Sequence, residues 1–298
     1  MGFLLLAAAS LQLVWQAQAL RSGIFYRDRC TPATADVERL RARAWPRQDA
    51  APAPKISRIV YINLDSDRPR REFMENQFVK LKGNGTDFQW QRLAAVEKEA
   101  MRSDERYSAW RDKGFNPTKY PGVQGMMGQA ACTFSHREAI RSLVGPEEQR
   151  LEASNELAMI VEDDVQIDPD FVHSWEKLWP FLPEDWDIVH VGGFGPRDCR
   201  QQVNVHLDRA GWSDAPPQGP CRYCGTQAYI VRPGRASIVQ HRLDASKIFH
   251  TDALLDAATP PFEDPEKVPE LRSYYAFPLL AGHATGADGG DIFGADRT

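Results

Sequence analysis

The stretch "ELAMIVEDDVQIDPDF", Glu156 to Phe171, constrains the fold more than any other. Five apolar residues, Leu157, Ala158, Met159, Ile160 and Val161, run straight into three adjacent carboxylates, Glu162, Asp163 and Asp164. An unbroken apolar run of this length reads as a strand buried on both faces, the kind found inside a parallel sheet. Carboxylates a few ångströms apart repel by roughly 4 kcal/mol at an effective dielectric near 20. The cluster must therefore be solvated, partly protonated or occupied by a cation.

The flanking sequence alternates strand and helix patterns. "RIVYINL" reads as a buried strand and Asp67 to Lys82 as a helix, with Asp67 as its cap and Phe73, Phe78 and Leu81 facing inward. Further strands are expected at Phe88–Leu93, Asp187–Val191 and "TQAYIVRP", and further helices at Gly128–Val144, Pro169–Trp179 and Gly234–Leu243. Residues 97–127 read as a long surface segment, 195–220 as a loop and the glycine-rich tail as irregular. Trp175, Trp179 and Trp186 read as core. This alternation implies a single α/β domain with a mixed, largely parallel sheet flanked by helices, in which ligands bind beyond the carboxyl ends of strands. The acidic triplet falls at such an end. If the strand persists, Glu162 and Asp164 share one side, a pair suited to a hard cation. The competing reading is that acids simply end a strand or cap the next helix. Asp187 and Asp291 are further acids near strand or tail ends.

The N-terminus has an apolar run from Phe3 to Val14 followed by Ala17-Gln18-Ala19, which reads as a cleaved signal peptide over residues 1–19. The alternatives are a short uncleaved anchor, the only route to membrane contact, or a segment that is no signal, which would leave the chain cytoplasmic. Residues 20–54 read as a Pro/Ala-rich stem and 55–298 as the domain. A sequon at Asn84 and five cysteines suit a secretory route, with Cys199 bridged to Cys221 or Cys224. Cys221-x-x-Cys224 lacks a second pair for a structural zinc site. A net charge of −5 without a long basic run argues against nucleic acid as a partner.

Four segments in order, "VYINLDSDRPRREFM", "GQAACTFSHREAI", "AMIVEDDV" and "GTQAYIVRPGRASIV" followed by "HTDALL", resemble glycosyltransferase family 25, which includes lipopolysaccharide glycosyltransferases and collagen galactosyltransferases. The chain departs from the pattern at Pro69, Ala131 and Gly290. The resemblance implies a GT-A fold (Rossmann-like), a UDP-sugar donor, a divalent cation, commonly manganese, and inverting transfer of galactose or glucose to a glycan or protein-linked hydroxyl. It implies a cation held by Glu162 and Asp164, and donor contacts from Asn63, Arg70, Arg71, Ser135, His136, Glu162 or Asp163. Asp252 is the candidate base that deprotonates the acceptor, with a helix cap or a sugar contact as its other readings. His250 or His283 would add a metal ligand. The rival from another class is a glycosyltransferase-like module that binds without turnover.

Overall fold

A computed structural model describes residues 51–83, 86–105, 107–108, 126–194, 201–204, 207–209, 224–245, 251–255, 269–276 and 279–284. These lie in one compact unit. The signal segment, residues 20–50 of the stem, Asn84 and Gly85 of the sequon, Cys199, Cys221, the side chain of Cys224 and Asp291 fall outside the described residues. Among the described residues, no helix is long and apolar enough to cross a membrane.

The acidic run ends a strand, as its composition demands. Strand β3 (Leu157–Glu162) is buried along its five apolar residues. Leu157, Met159 and Val161 enter one core, and Ala158 and Ile160 enter another on the opposite face. Each such side chain contributes about 1.5–3 kcal/mol by leaving water, which is why the run admits no polar position.

Strand β1 (Ile56–Asn63) lies parallel to β3 on one side and to β2 (Gln89–Ala94) on the other. Strand β4 (Val165–Ile167) follows the acidic turn. Strands β5 (Ile188–Phe194), β6 (Gln201–Asn204), β7 (Leu207–Arg209), β8 (Cys224–Val231), β9 (Ser273–Ala276) and β10 (Ala281–His283) complete the sheet. The main path runs β2-β1-β3-β8-β5-β9-β7-β6, with β10 joining β4 to β5.

One face is covered by α1 (Arg68–Gly83), through Met74, Phe78 and Leu81, and by α4 (Phe171–Leu178), through Phe171, Trp175 and Leu178. The other face carries α2 (Met126–Arg141), α3 (Pro146–Ser154), α5 (Ala236–Ala245) and the short α6 (Thr251–Leu254). The architecture is a mixed α/β sheet between two helical layers.

Three expectations need correction. The sheet is mixed rather than largely parallel, with four parallel and five antiparallel pairings among the described residues. Strand β8 inserts antiparallel between β3 and β5, and burial on both faces selects side chains without regard to strand direction. Residues 195–220 are not all loop, since β6 and β7 pair within them. In α1, Met74 takes the inward position expected of Phe73, which is 39% exposed. Met74 lies four residues before Phe78, on the same stripe, whereas Phe73 is one position off it.

Candidate functional site

Asp67 caps α1 by accepting the Arg70 N–H at 3.2 Å. This turn aims Asn63, Arg70 and Arg71 at the carboxyl edge of the sheet. Asn63 is buried and fully engaged. Its amide donates to Asp163 Oδ2 at 2.7 Å and to the Asp67 carbonyl at 3.0 Å. Its Oδ1 accepts from Arg71 Nε at 3.2 Å and Arg92 Nε at 3.0 Å. Asn63 therefore ties β1, β2, α1 and the acidic turn together. Arg92, which the sequence did not single out, is part of that knot.

The strand ends at Glu162, so the alternation expected to pair Glu162 with Asp164 stops there. Arg70 Nη1 donates to Asp163 Oδ1 at 3.0 Å and lies 3.7 Å from Asp164 Oδ2. Burial works against the Arg70 charge, but Asp163, Asp164 and Asp67 more than offset it and raise its pKa. Glu162 meets different partners. Its Oε1 lies 3.1 Å from His136 Nε2 and accepts the Thr226 hydroxyl at 2.6 Å. The three carboxylates do not converge on one point.

His136 is buried on α2. Its Nδ1 lies 3.0 Å from the Tyr229 hydroxyl of β8. Burial pushes the imidazole down, while Tyr229, Cys132 and Glu162 together hold it well above the usual histidine range. Ser135, one residue earlier, is occupied structurally. Its hydroxyl donates to the Ala131 carbonyl and accepts the Val96 N–H, each at 2.8 Å, which pins the segment after β2 to α2.

Cys132 stands one turn before His136. The thiol is free, and its sulfur lies 3.9 Å from the Thr251 hydroxyl of α6. Thr251 in turn donates to Thr133 at 3.0 Å, so α6, with Asp252 next in sequence, docks beside this cluster. The side chains of Asp252 and His283, and the whole of His250, lie outside the described residues. Cys132, Tyr229 and Thr226 were missed by sequence reasoning. The signal for Cys132 was available, because Cys132 and His136 are four apart and share one helix face.

These groups border a cavity of about 400 Å3, among them Asn63, Arg70, Cys132, His136, Glu162 and Asp163. The ends of β1 and β3 frame it, and the chain leaves β1 toward β2 on one side while β3 lies on the other. A strand-order reversal of this kind opens a crevice at the carboxyl edge, where α/β proteins take their ligands. Asp187 belongs elsewhere: it immediately precedes β5, which runs parallel to β3, so it lies at the opposite edge.

Compared with protein-family models and with curated proteins, the chain gives no match. What fold and site define together is a mixed α/β protein with a ligand-sized, charged crevice at the carboxyl edge of its sheet.

Proposed function

We propose that the chain is an inverting glycosyltransferase of GT-A type, which moves galactose or glucose from a UDP-sugar to a glycan or protein-linked hydroxyl in the secretory lumen. The observation that carries this reading is the cavity between β1 and β3, bordered at once by Glu162, Asp163 and Arg70. Its volume lies within the range of small-molecule sites, and a guanidinium beside carboxylates suits a diphosphate that arrives with a cation.

The residues present fit such a cation in part. Asp164 and Glu162 have side chains 22% and 27% exposed, and the Arg70–Asp164 approach at 3.7 Å is too long for a hydrogen bond. A hard ion held by one or two carboxylates is completed by substrate phosphates. In this reading Asp164 is the direct ligand, Glu162 or Asp163 orients the donor, and Arg70 binds a phosphate oxygen. The bound cation supplies charge neutralisation on the departing diphosphate. Asp252 takes the acceptor proton.

A second reading, a module of this fold that binds without turnover, is favoured by one observation: Arg70 and His136 already answer the acidic triplet from within the protein. A panel of UDP-sugars with manganese, read by product mass, separates the two. Transfer or hydrolysis that stops in chelator and is mostly lost in Asp164→Asn supports the enzyme. Turnover unchanged in chelator removes the cation role, and donor binding without turnover selects the second reading.

A further inference from the structure

We propose that Cys132, His136 and Glu162 form a binding site for a thiophilic divalent ion such as zinc, with its remaining position open to the 400 Å3 cavity. This inference goes beyond the glycosyltransferase reading and does not depend on it. It concerns a sulfur, nitrogen and oxygen donor set rather than the carboxylate pair.

The geometry comes first. One ligand atom from each residue lies within 4.8 Å of the other two. Four-coordinate zinc with nitrogen and oxygen ligands at its usual distances needs them about 3.4 Å apart. His136 Nε2 and Glu162 Oε1 are 3.1 Å apart, so a few tenths of an ångström of opening admits the ion. Cys132 and His136 project from one helix face, and Glu162 ends the adjoining strand.

The supporting contacts match what a metal site requires. Histidine ligands are held by a partner on the other ring nitrogen, and Tyr229, itself fully buried, holds Nδ1 of His136. Thr226 fixes the Glu162 carboxylate. Three protein ligands with one position left open is the pattern of reactive rather than structural zinc. Here Cys132, His136 and Glu162 all line the cavity, so an ion held between them would border it.

A sulfur, a nitrogen and an oxygen donor together suit zinc, which takes all three ligand types. The ligand class expected at the open position is an oxygen donor, a phosphate oxygen or a hydroxyl.

Cobalt is the probe, because a thiolate bound to it gives a ligand-to-metal absorption band in the near ultraviolet that carboxylates alone do not give. The full chain, cleared of metal and kept reduced, is titrated with cobalt and then with zinc. The expected result is one equivalent bound, the band present and then bleached by zinc. In Cys132→Ser the band is lost and affinity falls at least tenfold, while the thermal midpoint without metal is kept. Glu162→Gln keeps the band with weaker binding. No band in the wild type, or a band that survives in Cys132→Ser through the other cysteines, overturns the proposal. Because no sugar nucleotide is present, failure here leaves the transferase reading untouched, and failed turnover leaves this one untouched.

Discussion

The amide of Asn63 donates to the carboxylate of Asp163 across 2.7 Å, joining two residues 100 positions apart at the ends of neighbouring parallel strands. Both are buried. The carboxylate that looks from sequence like part of a cation platform is thus half committed to fixing the strand ends against each other. Its second oxygen goes to Arg70. Asp163 sets the shape of the crevice, while Glu162, beside it on the same wall, answers His136 and Thr226.

Asn63→Ala should therefore act on stability. Four hydrogen bonds meet at this side chain, and its removal strands the donors of Arg71 and Arg92 and the acceptor of Asp163. Leaving buried polar groups unpaired costs about 1–3 kcal/mol each before relaxation, so a loss of at least about 2 kcal/mol is expected in urea denaturation. Asn63→Asp should cost more, because it sets a second carboxylate against Asp163. A variant as stable as the wild type would show that water fills the gap.

Arg70 is a cation built into the acidic turn, and its removal should favour an external one. Its side chain is 49% exposed and pairs with Asp163 and Asp164. Half-exposed ion pairs carry about 0.2–1 kcal/mol. Arg70→Gln should tighten manganese binding measured without nucleotide by up to about fivefold. If Arg70 also binds the donor, UDP affinity falls in the same variant. Weaker manganese binding in Arg70→Gln would place the ion site away from Asp163 and Asp164.

How much of this was legible beforehand depends on what kind of signal each element carries. β3 is plain because burial on both faces permits only apolar residues, and α1 is plain because Phe78 and Leu81 keep a helical spacing, although Met74 rather than Phe73 completes the stripe. α3 escaped the periodicity reading because only Leu151 on it is buried. Its punctuation was nevertheless present: Pro146 opens the helix, and Asn155 closes it in the left-handed conformation at φ 51°. β9 and β10, at four and three residues, are too short to show alternation. At the site, the acidic triplet announced itself by type. Which acid faces Arg70 and which faces His136 did not, because the strand stops at Glu162 and the partners come from other elements. Cys132 was read only for disulfides, and its alignment with His136 along the helix went unused.

His190 gives a pH dependence with a definite sign. It is fully buried, with Nε2 3.0 Å from Ser273 Oγ and its ring stacked on Tyr275 at 4.3 Å. Nδ1 has no partner. Burial pushes its pKa down from 6.5 to about 4, against the Leu255 carbonyl, which raises it, and with a smaller push down from the nearby His136. The unfolded chain takes a proton there below pH 6.5, while the folded chain refuses it until about 4. Stability is therefore lost as pH falls through that window, by at most about 3 kcal/mol. His190→Gln, which cannot titrate, should be less stable at pH 7 yet lose less between pH 6.5 and 4. Urea midpoints of both proteins across the window check this, and parallel curves would mean His190 is already protonated in the folded state.

Asp187 separates stability from function. It is buried immediately before β5, where Oδ2 accepts the Arg272 N–H at 2.8 Å and Oδ1 pairs with Arg235 beside α5. Its own backbone donates to the Arg272 carbonyl at 2.9 Å and accepts from Arg232 at 3.0 Å. One carboxylate thus joins β5, the approach to β9 and the turn that opens α5. Breaking a buried charge pair by removing one partner costs about 3–5 kcal/mol, so Asp187→Ala should lower the urea midpoint sharply. Asp187→Asn should cost less, because the amide oxygen can still accept from Arg272. Since β5 begins at the edge of the sheet opposite the crevice, the fraction of either variant that stays folded should bind UDP and cobalt with wild-type affinity. An affinity change at unchanged stability would mean that this edge communicates with the crevice and that the knot does more than hold strands.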